Sequence, residues 1–147
     1  MKIEIENYQD CQLFSDNRSR AVFKDAKVSR EYIGKNPNKK ELKGLRVDDC
    51  LIKEGQKCDF LLINIHDKTL YFIELKGSDL VKAIDQIDRM LDLFLSKIEH
   101  QTVHGRVVLS RVSTPDLVSS RYIKLKKRLK GLNGTLEQKS VLMEEII

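Results

Sequence analysis

Two apolar runs of strand length, separated by a short polar turn, constrain the fold of this chain more than any other feature. They cover residues 58–65 and 69–76. Asp59 opens the first run, and Glu74 and Lys76 close the second. Charged groups at the ends of such strands must be paired or must bind an ion. The pattern therefore predicts a β-hairpin with a cluster of charges at its open end.

The register of this hairpin follows from the position of its turn. If the turn is centred on residues 66–67, residues whose numbers sum to 133 lie opposite each other. Asp59 then faces Glu74, and Lys76, two residues farther along, points to the same side of the sheet. Two carboxylates this close repel each other unless a cation lies between them. Oxygen ligands of this kind suit Mg²⁺ or Mn²⁺.

The other patterns predict alternating strands and helices around the hairpin. In chain order, we expect a strand at 45–52, the two hairpin strands, a helix from Ser78 or Asp79 to near His100, a strand at 105–112, a helix from 114–116 to about Lys130 and a strand at 135–146. A right-handed crossover makes strand 105–112 parallel to the second hairpin strand. The predicted fold is mixed α/β: a three-stranded antiparallel meander, then helix, strand, helix, strand, in a mixed sheet flanked by helices.

The chain has 147 residues, enough for one domain over residues 1–147. The sequence signals for strands and helices are clearest at residues 45–112. Within residues 1–44, the sequence predicts only short strands at 21–23 and 31–33. No run approaches the roughly 20 apolar residues that cross a bilayer, so we expect a cytoplasmic protein without membrane contact.

The cysteines and the net charge give two further expectations. Cys11, Cys50 and Cys58 are an odd number of cysteines, and in a cytoplasmic protein we expect reduced thiols. A net charge of +5 suits a polyanionic partner such as nucleic acid.

The charged end of the hairpin resembles the PD-(D/E)xK nuclease superfamily, which includes restriction endonucleases and Holliday-junction resolvases. The matching residues are Asp59 and Glu74-Leu75-Lys76, and the predicted element order is similar to that family's core. The resemblance implies that Asp59, Glu74 and the carbonyl of Leu75 bind Mg²⁺ or Mn²⁺. It also implies that Lys76 assists the attacking water. Gln86, on the following helix, fits a polar position that many relatives carry.

Many relatives also supply a glutamate from an N-terminal helix, and no such helix is predicted here. Glu31 and Glu41 are the candidates for that acid. A first hairpin turning at residue 54 would place Asp49 opposite Asp59, and a slip of one residue would place Asp48 there instead. We interpret Asp48 and Asp49 as polar strand residues, with a supplementary metal ligand as the alternative.

The second helix is strongly basic. Arg121, Lys124, Lys127 and Arg128 form a candidate phosphate-contacting face. The alternative is an ordinary solvated helix face, and beside a nuclease-like core the two interpretations are comparable.

These observations predict a metal-dependent endonuclease or exonuclease that acts on DNA or, less strongly, on RNA. The chain carries no evident recognition domain, so a homodimer or a partner subunit could select the substrate. The alternative is a non-catalytic nucleic-acid-binding or assembly subunit that retains a nuclease fold. A structural α/β protein whose charged motif is coincidental is the third interpretation.

Overall fold

The computed structural model describes residues 1–25, 29–55, 58–75, 79–111 and 119–147. Within them the chain is a mixed α/β protein with two mixed sheets and two α-helices. None of the helices in these ranges is long and apolar enough to cross a membrane.

The predicted succession of strands and helices is present, and one further strand, at residues 12–16, was not predicted. The strands are β1 (Gln12–Asp16), β2 (Arg20–Lys24), β3 (Glu31–Lys35), β4 (Leu42–Arg46), β5 (Phe60–Asn64), β6 (Thr69–Leu75), β7 (Thr102–Leu109), β8 (Leu136–Ser140) and β9 (Leu142–Ile146), and the helices are α1 (Leu80–Phe94) and α2 (Ser120–Lys130). The large sheet has the order β1-β4-β5-β6-β7-β8, and the small sheet has the order β2-β3-β9. Strands β4, β5 and β6 form the predicted antiparallel meander, and β7 is parallel to β6.

The register of the central hairpin is confirmed. Leu61 pairs with Phe72, and Ile63 pairs with Leu70, so paired residue numbers sum to 133 as predicted. The register is strongly specified because a slip of one residue would turn every apolar side chain to the opposite face.

Strand β6 is buried along its whole length, and its side chains alternate between two cores. Leu70 and Phe72 belong to the core covered by α1 and α2, which we call the helix side. Tyr71 and Ile73 belong to the core between the two sheets, which we call the inter-sheet side. Glu74 continues the alternation and therefore lies on the helix side.

Helix α1 forms because apolar residues recur every three or four positions, and the side chain of Asp79 caps its start. The Asp79 Oδ1 accepts a hydrogen bond from the Lys82 N–H at 2.9 Å. The helix ends at Phe94, before the predicted end near His100. The apolar residues that recur at this spacing along residues 80–98 are all buried: Leu80, Ile84, Ile87, Leu91, Phe94 and Ile98.

Helix α2 ends at Lys130 as predicted, and its described part begins at Ser120. Ser119 caps this start by accepting the Tyr122 N–H at 3.2 Å. The predicted helix start at 114–116 lies outside the described residues.

Two predicted strands are corrected. The strand expected at 45–52 is β4, which ends at Arg46 and is followed by turns. The strand expected at 135–146 is two strands in different sheets, divided at Val141. Val141 has a φ of 66°, which is unusual for a β-branched residue and turns the chain sharply. Its N–H donates to the Leu109 carbonyl in the large sheet, and its carbonyl accepts from Glu31 in the small sheet.

The N-terminal third contributes the small sheet. The strands expected at 21–23 and 31–33 are present as β2 and β3, and β9 from the C-terminus pairs parallel to β3. This sheet covers the inter-sheet side of the large sheet with Phe23, Tyr32 and Met143.

The expectation of three reduced thiols is wrong for two of them. Cys11 and Cys50 form a disulfide, whereas Cys58 is a buried free thiol. The bond joins residues separated by 39 positions. A cross-link over a loop of that length stabilises the fold by about 4 kcal/mol in the chain-entropy model. Disulfides are typical of oxidising compartments, so the cytoplasmic location stays a prediction.

Candidate metal and nucleic-acid site

Asp59 and Glu74 meet at the open end of the β5–β6 hairpin. The Asp59 N–H continues the strand ladder by donating to the Ile73 carbonyl at 3.2 Å. The Asp59 Oδ2 then accepts the Leu75 N–H at 2.8 Å, so this carboxylate is held against the backbone that directly follows Glu74. The other oxygen, Asp59 Oδ1, accepts no hydrogen bond from the part of the chain that the structure describes.

The two carboxylates differ in burial. Glu74 is completely buried, whereas Asp59 is half-buried at the mouth of the site. Burial raises the pKa of the adjacent Cys58 thiol, and the charges of Glu74 and Asp59 raise it further. Both carboxylates therefore lie close to this thiol, which stays protonated and is a poor nucleophile or zinc ligand.

Gln86 is brought to the same end of the molecule by helix α1. The helix begins beyond the end of β6 and runs back along it, and Ile87 packs over Gly105, which pairs with Phe72. Side chains of a helix lean toward its N-terminus. Gln86, one residue nearer the start of α1 than Ile87, therefore lies on the part of the helix that begins near Glu74.

The side of α1 that carries Gln86 faces the β4–β5 connection. Arg89, three residues farther along the helix, lies so close to Gly55 that a β-carbon there would be 3.1 Å from its Nη2. Gln86 is only 6% exposed. Its Oε1 is buried and has no hydrogen-bond partner among the described residues. Buried polar atoms are normally paired with protein groups or ordered water, so this oxygen is available to accept a hydrogen bond from water or to bind a cation.

The remaining predicted member of the cluster, Lys76, lies outside the described residues. The described ranges contain no group of three or more His, Cys, Asp or Glu side chains arranged to hold a metal ion. Mg²⁺ often binds through only one or two carboxylates, with water and substrate phosphate completing its shell. Asp59 and Glu74 therefore fit such an ion.

The candidates for a further acid are not placed as the sequence suggested. The β4–β5 register puts Val47, not Asp49, opposite Asp59, because Arg46 pairs with Phe60. Asp48 and Asp49 lie in the turn after β4, although the Asp48 N–H approaches the Asp59 carbonyl at 3.4 Å. The predicted position of Asp49 opposite Asp59 is wrong because β4 ends at Arg46, several residues before the predicted end at residue 52.

Neither N-terminal candidate joins the two carboxylates. Glu31 lies in the small sheet and forms an ion pair with Lys24 at 3.1 Å. Glu41 precedes β4 at the opposite end of the large sheet, where its carbonyl accepts the Ile65 N–H.

The basic helix α2 divides into two groups of cations. Arg121 pairs with Asp85 at 2.8 Å, and Arg128 pairs with Asp88 at 2.7 Å and with Asp92 at 2.8 Å. These arginines join α2 to α1. The other two residues of the predicted phosphate-contacting face, Lys124 and Lys127, are exposed. Neither forms an ion pair with a described residue.

A buried ionic network on the inter-sheet side was not predicted. The Arg106 Nε donates to the Glu145 Oε2 at 2.7 Å, and the Tyr32 hydroxyl donates to the same oxygen at 2.6 Å. The other two guanidinium nitrogens of Arg106 donate to the Gly105 and Thr135 carbonyls and to the Thr135 hydroxyl. The signal was present in the sequence, since a lone arginine in an apolar strand requires a buried partner.

Comparison of the chain with protein-family models, with curated protein sequences and with solved structures finds no significant match.

Proposed function

We propose that the protein is a metal-dependent nuclease that hydrolyses phosphodiester bonds of nucleic acid, with DNA as the first candidate substrate. The observation that carries this proposal is the pairing of Asp59 with the backbone beside Glu74 at one end of the hairpin. Two converging carboxylates favour an oxygen-ligated divalent cation.

Each residue has a distinct role in this proposal. Asp59, Glu74 and the carbonyl of Leu75 hold Mg²⁺ or Mn²⁺, and Gln86 accepts a hydrogen bond from a water at the site. Lys76 orients the attacking water or offsets the developing negative charge. The ion supplies Lewis-acid polarisation of the phosphate and lowers the pKa of a bound water.

The arrangement of elements supports the restriction-endonuclease-like interpretation. Three antiparallel strands, β4 to β6, are followed by α1 and by the parallel strand β7. Asp59 and Glu74 lie near the end of β6 and the start of α1, which supports the proposed position of the site. The leading helix of that family's core has no counterpart in the described residues before β4.

A second candidate function is a non-catalytic nucleic-acid-binding or assembly subunit. It is favoured by the lack of a third acid beside Asp59 and Glu74 among the described residues. A homodimer or a partner protein would then supply the missing chemistry.

A nuclease assay separates the two functions. Supercoiled, linear, single-stranded and branched DNA, and RNA, are incubated with the protein in Mg²⁺, Mn²⁺ or EDTA. We expect metal-dependent cleavage that Lys76→Ala reduces by at least about 100-fold, with Lys97→Ala as the matched control on the exposed surface. Nucleic-acid binding without cleavage, unchanged by Lys76→Ala, would instead support the subunit. If the protein neither cuts nor binds any of these substrates, both functions are wrong.

A further inference from the structure

Two exposed cations flank the Asp59–Glu74 end of the large sheet. Lys82 is in the first turn of α1, directly after the cap formed by Asp79. Arg111 follows the C-terminal end of β7, the strand that neighbours β6. We call Lys82 and Arg111 the rim pair.

The strand register places the rim pair at the same end of the molecule as the site. Because β6 and β7 are parallel and Leu75 pairs with Val108, their C-terminal ends meet at one edge. Arg111 lies three residues beyond Val108. Helix α1 starts at that same edge, since it follows β6.

The rim pair has no carboxylate partner among the described residues, unlike several other cations of the molecule. Arg121 and Arg128 form the ion pairs that join α2 to α1. Lys24 pairs with Glu31, and Arg30 pairs with Asp25. Neither Lys82 nor Arg111 forms an ion pair within the described ranges. Exposed cations without partners, beside two carboxylates, give the site a positive border around a negative centre.

Helix α2 is less well placed for the same task. It runs away from this end, and the turn after it packs against the start of β7, where Gly134 touches the Val103 carbonyl. With a rise of about 1.5 Å per residue, Lys127 is roughly 10 Å farther from the site than the start of the helix.

We infer that Lys82 and Arg111 contact the phosphates on either side of the bond held at the Asp59–Glu74 site, and that they contribute more to nucleic-acid binding than the lysines of α2. The inference rests on the proposed nuclease function for the position of the substrate. It assigns the phosphate-contacting role to two residues that the motif does not include. Such contacts recognise the backbone and not the base sequence.

Binding of a fluorescein-labelled DNA duplex of mixed sequence is measured by anisotropy over a range of KCl concentrations, with Ca²⁺ in place of Mg²⁺. We expect the Lys82→Ala/Arg111→Ala variant to bind more weakly. The slope of log affinity against log salt should decrease by about 2, because two phosphate contacts are lost. The matched control is Lys39→Ala/Lys97→Ala, which removes two exposed charges at the opposite end of the sheet. Its slope should equal that of the wild type.

The outcomes separate this inference from the proposed function. Equal slopes for the rim variant and the wild type would overturn the inference, even if the wild type cuts DNA in Mg²⁺. A reduced slope for the rim variant alone would support it, even if the wild type does not cut. A wild-type protein that does not bind the duplex would overturn it, and circular dichroism of each variant excludes unfolding as the cause of weak binding.

Discussion

Two clusters of buried charge in the described part of the chain differ in how their polar atoms are satisfied. On the inter-sheet side, every guanidinium nitrogen of Arg106 donates to an acceptor, and Glu145 accepts from both Arg106 and Tyr32. On the helix side, two carboxylates converge, and the Gln86 Oε1 has no partner among the described residues.

This difference distinguishes a cluster that stabilises the fold from a cluster that is suited to a chemical function. A fully paired network stabilises a particular packing, here the attachment of the small sheet to the large one. Carboxylates of like charge and an unpaired amide oxygen contribute little to stability. Converging carboxylates with an unpaired polar atom are more typical of sites that bind a ligand or an ion than of structural networks. The comparison therefore predicts opposite responses to substitution in the two clusters.

The largest contrast is expected in activity. Glu74→Gln removes one charge from the proposed metal site, and we expect cleavage in Mg²⁺ to fall by at least about 100-fold. Glu145→Gln makes the same chemical change in the inter-sheet network and should leave the cleavage rate within a few-fold of the wild type. Initial rates on supercoiled DNA measure both. Equal losses in the two variants would show that Glu74 has no special role.

The next contrast is expected in stability. Arg106→Met leaves Glu145 partly buried without its cation, and we expect the free energy of unfolding to fall by about 3–5 kcal/mol. Urea denaturation followed by circular dichroism measures this change. A loss below about 1 kcal/mol would mean that the network does not hold the sheets together.

The matched substitution at the site should have the opposite sign. Gln86→Met replaces a buried amide by an apolar side chain of similar size. We expect the free energy of unfolding to rise by about 1 kcal/mol, because an unpaired acceptor is removed. The same urea experiment tests it. A destabilised Gln86→Met variant would indicate that the amide has a structural partner.

The smallest effect on the free energy of unfolding is expected from a change in pH. Burial, together with the positive charge of the nearby Arg106, lowers the pKa of His104 to about 4, although Glu145 acts in the opposite direction. Below its ordinary value of 6.5 the unfolded chain therefore takes up a proton that the folded chain does not. The stability that neutral His104 contributes is complete above pH 6.5 and is lost as the pH falls toward 4. Because the ring is partly exposed, we expect less than about 1 kcal/mol per pH unit.

The pH effect is measured by urea denaturation at several values between pH 7 and pH 4. His104→Gln should reduce the dependence relative to the wild type. Identical curves for the wild type and His104→Gln would contradict the assignment.

Much of the central fold was predictable because its signals are local. The β5–β6 register follows from a short turn and from alternating side chains. The buried face of α1 follows from apolar spacing along one helix. The same local register brought Asp59 and Glu74 together, so the core of the candidate site was also predictable.

The failures have a common physical cause. The β4 boundary depends on where the chain leaves the sheet to form the loop containing Cys50, and that loop is bonded to Cys11. The division of the last strand at Val141 depends on contacts to Leu109 and Glu31, far away in the sequence. No local pattern encodes these contacts.

The sequence by itself determined the hairpin, its register, the amphipathic helices and the convergence of two acids at one end. Those properties arise from turn length and side-chain periodicity, which act over a few residues. Only the tertiary structure decided that Arg106 pairs with Glu145, that Arg121 and Arg128 join the helices, and that the small sheet combines both ends of the chain. These pairings depend on which distant surfaces meet, and that is settled by packing the whole chain.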